Sequence, residues 1–176
     1  MFREMRRFKQ QLSSAECEQI LKNATSGVLA VQGDDGYPYA VPVSHVYADG
    51  KIAFHCARTG HKLDGILRSD KVSFCVVAQD QVLPQERTTA FISVIAFGRA
   101  RIVEDEAGIR RIAGMIGEKF CPDNQADCRK ETDEVIAGNR MYCVEIAVEH
   151  MTGKCAKEVM LQRAREAKQK EKIEGE

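Results

Sequence analysis

The stretch GVLAVQGDDGYPYAVPVSHVYADGKIAFHCA, residues 27–57, decides the fold. Three strand-like runs, 27–32, 39–47 and 51–57, are separated by GDDG (33–36) and ADG (48–50), which read as turns. This order predicts an antiparallel meander. Pro38 and Pro42 lack the N–H that a ladder needs, so the second strand is expected at an edge or bulge for part of its length. If ADG is a three-residue loop, Val43 faces His55, Ser44 faces Phe54 and His45 faces Ala53, and the two histidines share one sheet face. A two-residue Asp-Gly turn instead puts them on opposite faces.

Working outward, Ser13 and Glu16 have capping-box spacing ahead of an apolar stripe of Cys17, Ile20, Leu21 and Ala24. After residue 57, Leu63, Ile66 and Leu67 predict a short helix, and KVSFCVVAQ (71–79) returns as a strand. QDQVLPQERTTA (79–90) reads as a loop. AFISVIAFGRARIVE (90–104) reads as a long strand with Gly98 at a bulge or bend. Asp105 and Glu106 open a helix with Ile109, Ile112, Ala113, Ile116 and Phe120 on one face, ending before Pro122. NRMYCVEIAVEHM (139–151) is the last clear strand. From Lys154 the chain is rich in Lys, Glu, Gln, Ala and Arg, a solvated helix or tail whose start is docked by Val159 and Leu161. Six or so strands joined mostly by tight turns, with helices at the edges, predict a mainly β (α+β) fold built on a small antiparallel barrel.

A chain of 176 residues is most simply one domain. Lys plus Arg and Asp plus Glu are balanced at 26 each, which argues against a general nucleic-acid or anionic-membrane binder. No apolar run approaches the roughly 20 residues that span a bilayer. The N-terminal MFREMRRFKQQLSS has no signal-peptide core, so a soluble, cytoplasmic protein is expected. The seven cysteines form no CxxC pair and are expected to be reduced thiols, with Cys56, Cys75 and Cys143 packing in strands as small hydrophobes.

FHCARTGHKLDGIL (54–67) passes from a strand through a polar corner into a helix and carries His55, Arg58, His61 and Lys62. Cations are poorly placed at a helix N-terminus unless an anion sits between them, because the dipole is positive there. Backbone N–H groups at that point hold phosphate well. Gly60 lets the backbone turn, Thr59 can cap or donate, and His61 and Lys62 add donors. Arg58, which precedes the turn, is expected to reach solvent. His45 and His55 could together begin a metal site, but no third ligand is evident and none is expected.

The ordered set DGYPYAVPVSHVY, ADGKIAFHCARTGHKLDGIL and AFGRARIVED, followed by a helix ending KFCPD, resembles the FMN-binding split-barrel proteins related to pyridoxamine 5′-phosphate oxidase. Within them the chain looks most like the 5-nitroimidazole resistance group. The resemblance implies a split-barrel domain over residues 1–155, including the N-terminal helix, with a charged helix or tail over 156–176. It also implies a homodimer with FMN in clefts at the subunit interface. Pro42, Val43 and Ser44 would run beside the flavin ring, offering backbone contacts. Phe54 and His55 would lie beneath the ribityl chain and ring, and His61 and Lys62 would hold the phosphate. Ser93 falls where the oxidases use a glutamine. The oxidases' usual Arg–Lys pair is His–Lys here, and their C-terminal substrate segment with Trp and Arg is not recognisable, so pyridoxamine-phosphate oxidation is not expected.

The resemblance implies a flavin-dependent reductase of nitro compounds, and since no Gly-rich dinucleotide motif is present, a nicotinamide donor, NADH or NADPH, is expected to bind only transiently. Histidine ordinarily titrates near neutral pH, so His45 and His55 are the candidate proton donors. The alternative is a flavin- or haem-binding protein without turnover, with His45, His55 or His150 as axial ligand.

Overall fold

The first helix forms where its cap predicts. The Ser13 hydroxyl accepts from the Glu16 N–H while the Glu16 carboxylate accepts from the Ser13 N–H, so two orphan donors are satisfied reciprocally. This helix, α1 (Ser14–Asn23), buries Cys17 and Leu21. The computed structural model describes residues 2–174; the last two residues of the predicted tail lie outside them.

Seven strands follow among the described residues: β1 (Ser26–Gln32), β2 (Pro38–Ser44), β3 (Val46–Ala48), β4 (Lys51–Ala57), β5 (Lys71–Leu83), β6 (Thr88–Val103) and β7 (Met141–Cys155). They form one antiparallel sheet in the order β2-β1-β5-β6-β7-β4-β3. The remaining helices are α2 (His61–Arg68), α3 (Glu106–Phe120), α4 (Gln125–Ala137) and α5 (Lys157–Glu174).

The predicted strand 39–47 is two strands. It breaks at His45, and its halves lie at opposite edges of the sheet. The meander expected from residues 27–57 is therefore two separate hairpins, β1–β2 and β3–β4. Because one residue joins the two outer strands, the sheet must curl until its edges approach each other at His45 without pairing, which makes it a split barrel. The β3–β4 hairpin turns on Asp49 (φ 49°) and Gly50 (φ 72°), the left-handed pair that a tight two-residue hairpin requires. Val46 pairs with Ala53 and Ala48 with Lys51, so the three-residue register is corrected and His45 and His55 do not share a face.

Two further elements differ from the sequence reading. The loop expected over 79–90 shrinks to residues 84–87, because β5 and β6 stay paired as far as Leu83 and Thr88. Helix α4 was not expected; none of its residues is buried, so no apolar stripe announces it. Gly98 does mark an irregularity. Phe97 pairs with His150 but Gly98 with Val148, leaving Glu149 as the extra residue. A Cβ at Gly98 would stand 2.2 Å from the Ala147 carbonyl oxygen, so only glycine fits.

The barrel interior is filled by Leu29, Val31, Ile52, Phe54, Phe74, Val76, Val94, Val144 and Ile146. A second cluster lies outside it, where Ile109 and Ile112 of α3 cover Val46, Ala53, Val103 and Cys143. Each such side chain contributes about 1.5–3 kcal/mol on burial. Val159 docks the start of α5 at 5% exposure, whereas Leu161 is 49% exposed and does not.

Candidate functional site

Helix α2 starts at Gly60, whose φ of +128° is a conformation that L side chains rarely adopt. No side chain caps this end, so Thr59 does not play the capping part expected of it. Lys62 is half-buried in the first turn, close enough to the buried Cys56 that its charge opposes the upward push of burial on that thiol. The His61 ring stacks on Tyr39 with centroids 4.0 Å apart. Its Nε2 lies 3.5 Å from an Asp34 carboxylate oxygen but makes no hydrogen bond. Arg58 does not reach into solvent as expected. It lies over the Tyr142 ring at 4.2 Å and donates to the Tyr142 hydroxyl and to the Asn139 carbonyl. At the other end of α2, Arg68 donates to the Gln32 and Gly33 carbonyls at 3.1 and 2.7 Å, fastening the helix to the β1–β2 turn.

Ser44 and His55 come together. Both line a groove of about 400 Å³ whose opposite wall is α3 and α4, including Ile116, Phe120, Thr132 and Val135. His55 is exposed on the outer face of β4, opposite Cys143. Phe54 points the other way. Its side chain is fully buried in the barrel, so it can offer a ligand only its backbone. Pro42 is exposed and Val43 half-buried on the edge strand β2. Ser93 lies between Val77 of β5 and Lys154 of β7 and does not line this groove.

His45, also expected as a proton donor or haem ligand, lies inside the fold. The ring is fully buried between the sheet edges, and its Nε2–H donates to the Leu21 carbonyl at 3.0 Å. Nδ1 has no partner, and the ring meets Phe74 edge-on at 4.9 Å. Burial, aided by the nearby Lys119 charge, lowers its pKa to about 4. His150, the third histidine considered as a ligand, is stacked on Phe2 at 4.7 Å.

Two charged groups escaped the sequence reading. Lys119, at the end of α3, donates to the His45 and Ala24 carbonyls. Glu145 is 2% exposed on β7 and accepts hydrogen bonds from Arg101 and Arg111. Burial pushes its carboxyl up, but these two guanidiniums outweigh that and hold it below the usual carboxylate range. Strand alternation could have found Glu145, since it shares a face with Cys143 beneath α3.

Opposite the α3 side, the outer face of the sheet is apolar and open. Val28 faces Cys75, Cys75 faces Ile95, and Phe97 lies one step along the same strand face. Val28, Val77, Ile95 and Phe97 are exposed large hydrophobics.

A protein-family model described as pyridoxamine 5′-phosphate oxidase matches residues 13–155. Among solved structures, a candidate 5-nitroimidazole antibiotic resistance protein from Bacteroides thetaiotaomicron is similar at 18% identity and a TM-score of 0.65, over 82% of this chain and 85% of that one. An FAD-binding protein from Mesorhizobium loti is similar at 26% identity and a TM-score of 0.57, over 84% and 97%. An FAD and haem binding protein from Mycobacterium smegmatis is similar at 18% identity and a TM-score of 0.69, over 84% and 74%. No curated protein matches the chain in sequence. No helix among the described residues is long and apolar enough to cross a membrane. With the family model covering the whole sheet and its first four helices, the chain belongs to the pyridoxamine 5′-phosphate oxidase family.

Proposed function

We propose that the chain is a flavin-dependent oxidoreductase that binds FMN and reduces nitro compounds with electrons from NADH or NADPH. The observation that carries this reading is the uncapped start of α2, where Gly60 leaves open space, Lys62 supplies charge and a buried nitrogen of His61 lacks a hydrogen-bond partner. That donor set fits a phosphate. The edge strand β2, with Pro42, Val43 and Ser44, fits a flat ring that takes backbone contacts. When bound, the flavin would supply the electron-transfer chemistry.

The residues of the chain would bind and orient. Lys62 and the first turn of α2 would hold the phosphate, and His61 would turn toward it from Tyr39. His55, exposed in the groove, would deliver a proton to a reduced substrate. The apolar outer face of the sheet supports a homodimer, because a second copy would cover Val28, Val77 and Ile95 and bring its own Ser93 toward a shared cleft.

The test is spectroscopic, then kinetic. Purified protein reconstituted with FMN should retain flavin absorbance after desalting and, under anaerobic conditions, consume NADH or NADPH in the presence of a nitroimidazole. A Soret band on reconstitution with haem, with no flavin retained, would overturn the FMN assignment in favour of haem. Retained flavin without turnover of any nitro compound would overturn the substrate assignment alone.

A further inference from the structure

Of the seven cysteines, all among the described residues, Cys121 alone is exposed. It caps the C-terminus of α3, and Cys128 lies in the first turns of α4. Between them the chain reverses through a short 3-10 turn at Pro122–Asn124. The reversal is tied down because the Asn124 N–H and the Gln125 side-chain amide both donate to the Cys121 carbonyl at 3.1 Å. Both cysteines flank Gly117. The Cys121 N–H donates to the Gly117 carbonyl at 2.8 Å, and a Cβ placed on Gly117 would stand 3.8 Å from Cys128 Sγ. Cys121 and Cys128 are thus neighbours about Gly117. Both also line the groove that holds Ser44 and His55.

We propose that Cys121 and Cys128 are a reversible dithiol–disulfide pair in the groove wall, oxidised by low-molecular-weight disulfides. Exposure makes Cys121 the attacking thiol. Its thiolate attacks one sulfur of the small disulfide, whose S–S bond breaks as a mixed disulfide forms on Cys121 and one small thiolate leaves. The Cys128 thiolate then attacks Cys121 Sγ, displacing the second small thiolate and closing the Cys121–Cys128 bond. The two protons shed by the cysteines pass through solvent to the two departing thiolates, so the two electrons lost by the protein reduce the small disulfide to two thiols with no net proton released. In the reduced state burial raises the Cys128 pKa, as does the neighbouring Cys121. The closed bond would tie α4 to the end of α3 and fix the wall facing His55. The proposal does not depend on flavin binding.

Trypsin releases both residues in one peptide, FCPDNQADCR, residues 120–129. The experiment incubates the reduced full-length protein with glutathione disulfide, quenches with N-ethylmaleimide and maps the peptides by mass spectrometry. The expected wild-type product is this peptide two hydrogens lighter and unalkylated. Cys128→Ser should accumulate glutathione on Cys121, and Cys121→Ser should slow glutathione uptake by Cys128 on the order of tenfold or more. A second arm uses phenylarsine oxide, which should protect both cysteines from alkylation in wild type and leave Cys121 open to alkylation in Cys128→Ser. Circular dichroism on each variant checks the fold. Stable glutathionylation of Cys121 in the wild type without ring closure, or arsenical protection that survives Cys128→Ser, would overturn the proposal.

Discussion

The Lys119 ammonium lies 2.9 Å from the backbone carbonyl of His45 and donates to it, while also donating to the Ala24 carbonyl. One lysine at the end of α3 thus joins the end of α1 to the single residue that links the sheet edges. The cost falls on both partners, since burial lowers the Lys119 pKa and burial with the Lys119 charge lowers that of His45. A charged His45 would place an Nδ1–H in the core with nothing to accept it.

This sets a pH dependence. His45 has a folded pKa of about 4 against 6.5 in the unfolded chain, so the unfolded state takes the proton first as pH falls. Its contribution is fully present above about pH 6.5 and is lost toward pH 4, by up to about 3 kcal/mol. Chemical denaturation between pH 7 and 5, largely above the carboxylate range, should show stability declining in wild type and a flatter profile in His45→Gln. Parallel profiles would refute the assignment.

Lys62→Ala should weaken FMN binding by about ten- to a hundredfold, from roughly 1.5–3 kcal/mol for a charge-assisted hydrogen bond. Riboflavin, which has no phosphate, should lose much less. Paired titrations on wild type and variant decide it. Equal losses for both ligands would mean that Lys62 supports the fold, and no loss would make the corner a charged surface turn.

Ile95→Glu places a charge in the middle of the open apolar face, opposite Cys75. If a second copy covers that face, the variant should run as a monomer by light scattering at micromolar concentration while its melting temperature as a monomer stays high. A wild type that is itself monomeric with flavin bound would refute the dimer.

Removing residues 162–176 should leave flavin content and melting temperature nearly unchanged. Among the described side chains, the truncation breaks the exposed Arg163–Glu16 ion pair at 2.9 Å, of a kind that contributes about 0–1 kcal/mol. Truncating before Val159 should be destabilising, because that side chain is buried. A large loss from the shorter truncation would show that the tail packs over the site.

The capping box at Ser13, the helix at 106–120 and the long strands were legible because each rests on local periodicity or cap chemistry. His45 was not. A histidine within a strand-like run looks like any polar position, and only long-range closure of the sheet reveals that the run breaks there. Phe54 and His55 read as one site in the sequence, although strand alternation alone separates them into core and groove. Lys62 and Gly60 were readable from the dipole argument, whereas the Tyr142 anchor of Arg58 lies 84 residues away and leaves no local trace.

Among the described residues strand β7 is the only bridge between β6 and β4 in the sheet, and its pairing Lys51↔Ala147 joins residues 96 positions apart. During synthesis, β4 therefore emerges with one edge unpaired and keeps it until nearly the whole family domain has left the ribosome. Folding dominated by such distant pairings is slow, in the range of milliseconds to seconds for comparable topologies. An unsatisfied strand edge held open for that long is a template for pairing with another chain. The short β3, turned back on β4 by Asp49 and Gly50, covers the other edge at once over Lys51–Ala53, so the nascent chain waits with the start of that side guarded.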